Sequence, residues 1–390
     1  MPPLPPESPP EPQEPQKPQV LLRAGRITYE FVRRLGLARH GEWVLARRRY
    51  DEGFGGYSLL KRPRTPVSEE ALRRLVDEAL VTSQLHHPNI PTMQLQGTPE
   101  LPYLVLEHLP GHRLEKLLER SVRMHFPLSE GFACHLIVEV ADALHHAHTL
   151  LDEHGRALGI VHRDVTPYNI LLGEHGEVKL VDFGAAWSRL EGRVRTEGPQ
   201  LQGSLAYAAP EQVQHLPLDA GADQFSLGII LLQLLTGRHL FEGAERFDAQ
   251  QRRRHLAHTA ATRQCARELT GRIRGYSHSD LEAATRMVPE ALRPIVHRML
   301  APQRANRFAS CAQVSRVLRE HLGASGQYGG RHLVLAELIG LSYFTLRLNS
   351  GASPSDLDKE RMLSEPAGPL SAPGPLLSRR ALRPRPPRRR

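Results

Sequence analysis

The chain has 390 residues and three cysteines, none in a CxxC pair, which excludes a disulfide framework and a thiolate zinc site. Its formal charge of +9 is uneven: seven arginines crowd the last dozen residues (Arg379, Arg380, Arg383, Arg385, Arg388, Arg389, Arg390), no acid follows Glu365, and the remainder is close to neutral. The body is therefore not a general nucleic-acid binder, and with no apolar signal core and no run of about 18 apolar residues a soluble, cytoplasmic protein is expected.

Residues 1–26 read as an extended Pro-, Glu- and Gln-rich segment. Residues 27–322 read as a globular body long enough for a large core, and 323–390 as one short apolar stretch followed by a disordered Pro/Arg-rich tail. Within the body, 27–49 alternates apolar and polar residues around the turn Leu35-Gly36-Leu37-Ala38-Arg39-His40-Gly41-Glu42-Trp43, as a strand–turn–strand does. The strand 57–61 ends on Lys61. This chain strongly prefers arginine, with lysine only at 17, 61, 116, 179 and 359. A lysine here suits a compact ammonium that bridges phosphates and a carboxylate.

Residues 68–85 read as a helix, with Ser68 as N-cap, Glu69 and Glu70 near its start, and Leu72, Leu75, Ala79 and Val81 as apolar positions. Asp77 and Glu78 are neighbouring acids on this helix, the shorter Asp77 pointing about 100° away from Glu78 around it. Residues 103–111 form an apolar strand running into Pro110-Gly111. Residues 132–151 have helical apolar spacing, and His145, His146 and His148 on them read as ordinary surface and core side chains.

The centre of the chain is 159–184. A short strand leads into a polar loop with His162, Arg163, Asp164 and Asn169, then a hairpin (169–173 and 178–181) ending on Asp182-Phe183-Gly184. Two carboxylates and a carboxamide at the ends of adjacent strands suit phosphoryl transfer from a metal–nucleotide complex. Asp164 would orient a hydroxyl nucleophile, and Asn169 and Asp182 offer oxygen ligands to Mg²⁺.

The segments HRDVTPYN and DFG resemble the catalytic loop and metal-binding motif of the eukaryotic-type (Hanks-type) serine/threonine protein kinases, in a bacterial-like form. The resemblance covers residues 27–322. It implies an α+β, two-lobed protein-kinase-like fold, with a β-rich N-lobe (about 27–108), a larger α-helical C-lobe (about 109–322), and Mg²⁺-ATP between them. By the same resemblance, residues 35–43 cover the ATP phosphates, and Lys61 pairs the α- and β-phosphates with Glu78. Leu106 lines the adenine pocket, and the backbone of Glu107 and Leu109 meets the adenine edge.

The stretch from Asp182 to Ala209-Pro210-Glu211 is similar to an activation segment, with Gly203–Tyr207 as its substrate-docking turn. Arg163 would receive a phosphate placed on Thr196, Ser204 or Ser188. Asp223 would hold the catalytic-loop backbone, and Arg307 would pair with Glu211. Three positions depart from the family pattern: Ala38 replaces a glycine, Trp43 a valine, and Thr166 the lysine that contacts the γ-phosphate. Thr166 would take a weaker γ-phosphate role through its hydroxyl but brings no charge, so slower transfer is expected.

The implied function is transfer of the ATP γ-phosphate to Ser/Thr hydroxyls of protein substrates, including autophosphorylation. Ala38 and Thr166 motivate an alternative, a pseudokinase scaffold that binds nucleotide or a partner without turnover. A small-molecule phosphotransferase of related fold shares the His-x-Asp-x₄-Asn loop but normally lacks the Ala-Pro-Glu closure. The Arg-rich tail offers contact with nucleic acid or anionic lipid, although its composition favours solvated disorder.

Overall fold

The structure, a computed structural model, describes residues 18–38, 41–64, 66–190, 203–244, 246–248 and 260–349. The chain divides into two units, residues 1–341 and 342–390. Everything below lies in the first; of the second, only the end of one helix is described.

Strands β1 (Val20–Ala24), β2 (Ile27–Ala38), β3 (Gly41–Tyr50) and β4 (Gly53–Arg62) run as consecutive antiparallel hairpins. Helix α1 (Glu69–Thr82) follows, then β5 (Met93–Thr98) and β6 (Leu101–Glu107), giving one antiparallel sheet in the order β1-β2-β3-β4-β6-β5. The period-two pattern explains its two apolar faces. Leu22, Tyr29, Ala46, Leu60, Tyr103 and Val105 cluster on one. Leu104 and Leu106, with half-buried Trp43 and Leu59, meet Leu75 and Ala79 of α1 on the other. Ser68 caps α1 as expected, its Oγ accepting from Ala71 N at 3.2 Å.

The body begins earlier than residue 27. β1 pairs antiparallel with β2 and buries Leu22, because an edge strand draws its hydrogen bonds from a neighbour that local composition does not reveal.

A second, three-stranded sheet joins β7 (Gly111–Arg113) to the hairpin β8 (Ile170–Gly173) and β9 (Val178–Leu180). Helices α2 (Leu114–Arg123) and α3 (Glu130–Thr149) lie between β7 and β8 in the chain. After the hairpin come α4 (Pro210–Val213), α5 (Ala220–Thr236), α6 (Ala260–Arg274), α7 (His278–Ala284), α8 (Arg293–Met299), α9 (Cys311–Ala324) and α10 (Arg331–Asn349). α5 is apolar nearly all round and buried from Ala222 to Leu234, the behaviour expected of a helix at the centre of a core. α3 packs against both α5 and α9.

Asn89 ties the two sheets to this helical core. Its Nδ2 donates to Val178 O (2.9 Å) and Glu139 Oε2 (2.7 Å), while its carbonyl accepts from Leu180 N (2.7 Å).

The segment after residue 322 also differs from the expected short apolar stretch and disordered tail. α10 runs for 19 residues. Val334 and Leu341, seven positions apart and so on one face, are buried, and Glu337 Oε1 accepts from the backbone N–H of Ser129, the N-cap of α3, at 2.8 Å. The family-like body shelters this helix, which a composition argument over 323–390 averages away. The terminal arginines lie outside the described residues, and among those described no helix is long and apolar enough to cross a membrane.

Candidate active site

Lys61, near the end of β4, is almost fully buried, and its Nζ lies 2.6 Å from Glu78 Oε2 on α1 and 3.6 Å from Asp182 Oδ1. Glu78, not Asp77, is thus the partner. The Trp43 ring faces the same ammonium from β3, with its centroid at 5.2 Å. Burial pushes the Glu78 carboxyl up to about 7, against the pull of Lys61. Burial also acts to raise Asp182, but the Lys61 charge, aided by His162 and Arg113, holds it below the usual carboxylate range. Asp182 stays ionised.

The catalytic loop is pinned from beneath. Asp223, fully buried in α5, accepts from the backbone N–H of His162 (Oδ2, 2.8 Å) and Arg163 (Oδ1, 2.8 Å). Those bonds help hold Arg163 at φ 63°, and Asp182 adopts a similar left-handed conformation at φ 68°. The His162 ring, fully buried, stands edge-on to Phe183 at 4.5 Å, and its Nδ1 accepts from Asp164 N at 3.2 Å. The Arg163 guanidinium donates to the carbonyls of Ala185 (2.6 Å) and Ala186 (3.3 Å), locking the start of the segment after Gly184.

Asp164 Oδ1 accepts from Ser204 N (2.7 Å), and Oδ2 accepts from Asn169 Nδ2 (3.0 Å), which also reaches the Asp164 carbonyl (2.8 Å). The Ser204 hydroxyl donates to Asp248 Oδ1 at 2.5 Å. Thr166 is fully buried, so its hydroxyl is not open to a phosphate as the sequence reading expected.

Gly203 crosses directly over the loop at φ +89°, and a Cβ there would sit 2.2 Å from Arg163 O and 3.1 Å from Asp164 Oδ1. Gly203→Ala is expected to cost about 1–3 kcal/mol from the backbone conformation alone. By displacing the loop, it should also lower turnover by roughly tenfold to a hundredfold. Steady-state kinetics with thermal melting tests both effects.

The metal-ligand expectation fits the donor set. Asn169 spends its Nδ2 on Asp164 while its Oδ1 has no protein hydrogen bond among the described residues, and Asp182 remains a carboxylate. Two hard oxygens of this kind suit Mg²⁺, which keeps waters and phosphate oxygens for its other positions.

Glu107 Oε1 accepts from Lys179 Nζ at 2.6 Å, joining the end of β6 to β9. Two residues on, Leu109 has no backbone hydrogen bond among the described residues, as an adenine-edge group requires. Of the loop 35–43, β2 continues to Ala38 and β3 starts at Gly41; Arg39 and His40, like Thr196, lie outside the described residues. Ser188 is described, its Oγ accepting from Leu190 N at 3.3 Å.

Two contributors escaped the sequence reading. His148 Nε2 lies 2.8 Å from Asp223 Oδ2, both buried. Burial alone would hold this imidazole neutral, but the Asp223 bond, with Cys311 beside it, raises it to about 10. A histidine raised from 6.5 contributes stability that is full below 6.5 and is lost as pH rises through 10. His148→Gln leaves Asp223 without its counter-charge, at about 3–5 kcal/mol near neutral pH. Its deficit against the native chain is expected to shrink as denaturant melts are repeated from pH 7 toward 10. The other missed residue is Arg113, which stacks 4.0 Å over the Tyr168 ring beside the catalytic loop. One sequence signal was available: an arginine where a helix start prefers Ser, Thr, Asp or Asn.

A strand-borne lysine held by a helix glutamate, facing an Asp-Phe-Gly turn and a pinned His-Arg-Asp loop, defines the two-lobed kinase class of fold. The chain belongs to the protein kinase domain family, whose match runs over residues 29–318.

Among curated relatives, the chain is 33% identical over 212 residues to the tyrosine-protein kinase MasK of Myxococcus xanthus, covering 53% of this chain and 32% of that protein. It is 34% identical over 175 residues to the serine/threonine-protein kinase PrkC of Bacillus subtilis, covering 45% and 25%. With the serine/threonine-protein kinase PknA of Mycobacterium tuberculosis the figures are 32% over 186 residues, 45% and 39%. The chain thus spans well under half the length of these relatives.

Proposed function

We propose that this chain is an ATP-dependent protein kinase that phosphorylates serine and threonine hydroxyls on protein substrates, itself included. The observation that carries this is the buried Lys61–Glu78 pair with Asp182 3.6 Å from the same ammonium. It is an arrangement that holds phosphates against a metal-ligating carboxylate. Lys61 positions the α- and β-phosphates, and the Leu109 backbone meets the adenine edge. Asn169 and Asp182 would hold Mg²⁺, which when bound neutralises charge on the β- and γ-phosphate oxygens.

Asp164 orients the acceptor hydroxyl. That oxygen bonds to the γ-phosphorus as the bond to the bridging oxygen breaks, ADP leaves with the bond's electron pair, and the hydroxyl proton passes to Asp164. The choice of serine and threonine over tyrosine rests on the HRDVTPYN loop and on PrkC and PknA, while MasK carries a tyrosine-kinase name.

Incubation with γ-labelled ATP and Mg²⁺, comparing the native chain with Asp164→Ala, tests the proposal. Label on serine and threonine in the native chain alone is expected. Equal label in both leaves the scaffold reading instead, and label on tyrosine overturns the hydroxyl class.

A further inference from the structure

The Asp164 carboxylate is held from two sides. Asn169 Nδ2 donates to its Oδ2 at 3.0 Å from within the catalytic loop. Ser204 N donates to its Oδ1 at 2.7 Å from the far end of the segment that follows Gly184. A misplacement of about 1 Å at a reacting centre can cost roughly a hundredfold in rate. Whatever fixes Ser204 therefore fixes one of the two bonds that orient Asp164.

Ser204 precedes the short turn Leu205–Tyr207, where a serine hydroxyl ordinarily accepts from the turn's own N–H groups, yet it makes no such bond. Its hydroxyl donates instead to Asp248 Oδ1, 44 positions along the chain, at 2.5 Å, the short range of a hydroxyl–carboxylate bond.

Asp248 is itself well rooted. It lies past α5, where Phe241 and Ala244 are buried and Phe247 N donates to Gly243 O at 3.2 Å. The other end of the turn is tied to α5 directly. The Tyr207 hydroxyl donates to Gln233 Oε1 (2.9 Å), and Ser226 Oγ donates to Tyr207 O (2.7 Å).

We propose that Asp248 is a positioning residue for phosphoryl transfer. By holding the Ser204 hydroxyl it keeps the Ser204 N–H on Asp164, and so sets the plane of the carboxylate that orients the acceptor hydroxyl. The role needs no contact with nucleotide or acceptor. It rests on the phosphotransferase reading above and deepens it. No motif read from the sequence includes Asp248, since the bond that gives it a role spans 44 positions.

Asp248→Ala and Ser204→Ala each delete the hydrogen bond. Asp248→Asn removes the charge but keeps an acceptor for the hydroxyl in its carboxamide oxygen. In the full chain, kcat and KM for ATP and for a protein substrate would be measured beside Asp164→Ala. Each alanine variant is expected to lower kcat roughly tenfold, with both KM values within about twofold of native. The double variant loses no more than either alone, because one bond serves both residues, and Asp248→Asn returns to within about threefold of native.

Native kcat in Asp248→Ala overturns the proposal and leaves the phosphotransferase reading in place. So does a loss seen only as a raised KM for the protein substrate, which makes Asp248 a reader of substrate side chains. Multiplied losses in the double variant, or an Asp248→Asn chain no faster than Asp248→Ala, overturn it as well, since neither result can come from the shared bond. A native chain no faster than Asp164→Ala removes the phosphotransferase reading and this inference with it.

Discussion

Lys61→Met is expected to reduce kcat/KM for ATP by roughly 10²–10³-fold while the chain stays folded. The loss in rate follows from geometry. Lys61 touches both the α1 glutamate (2.6 Å) and the Asp182 carboxylate (3.6 Å), so removing it unties the phosphate-holding strand from both. The modest effect on stability follows from Glu78. Deleting one member of a buried ion pair usually strands a charge, but burial already brings the Glu78 carboxyl up to about 7. In the variant it takes up a proton near neutral pH rather than remaining as a buried anion.

The same shift gives a pH signature in the native chain. The pair needs Glu78 ionised, so it weakens as pH falls through about 7, and kcat/KM is expected to fall on that acid side by up to tenfold per pH unit. Glu78→Gln should be slow throughout and lack this limb. A pH–rate profile with labelled ATP measures both, and native-like rates in Lys61→Met would remove the assignment.

Arg307→Ala is expected to destabilise the fold by about 3–5 kcal/mol. The guanidinium is buried and bidentate on Glu211, at 2.6 and 3.0 Å. It also donates to Gly221 O (2.8 Å) and Ala301 O (2.9 Å) and lies 4.8 Å from the Phe225 ring centroid. One side chain therefore joins the Ala-Pro-Glu turn, the start of α5 and the segment after α8. Removing it strands the buried Glu211 carboxylate without its bidentate donor.

Replacing both partners by apolar residues of similar volume removes the stranded charge, and the double variant is expected to recover part of the loss. Denaturant melts of the single and double variants test this. A single variant within about 1 kcal/mol of native would show that the pair orders the segment without stabilising the fold. Activity should fall with it, because α4 also carries Gln212, whose side chain donates to Arg163 O at 3.2 Å.

Residues whose roles depend on local spacing were legible in the chain. His162, Asp164 and Asn169 share one loop, Asp182 ends the adjoining hairpin, and Glu78 lies on the helix pattern that follows Lys61, and it was the resemblance of these segments to kinase motifs that singled them out. The Lys61–Glu78 and Arg307–Glu211 pairings were also expected, and distances of 2.6 Å bear both out.

What sequence could not supply is any term that depends on a neighbour far along the chain. Pairing with β2 decides whether Val20–Ala24 is a strand, and a face on α3 decides whether 331–341 is helix or tail. Burial decides that Thr166 is closed off and that His148 is charged rather than an ordinary core ring. Sequence alone thus determined which chemistry-bearing groups the chain carries and which local elements bear them. Only the tertiary structure decided which of those groups are desolvated, paired or open, because those properties come from contacts between residues tens to hundreds of positions apart.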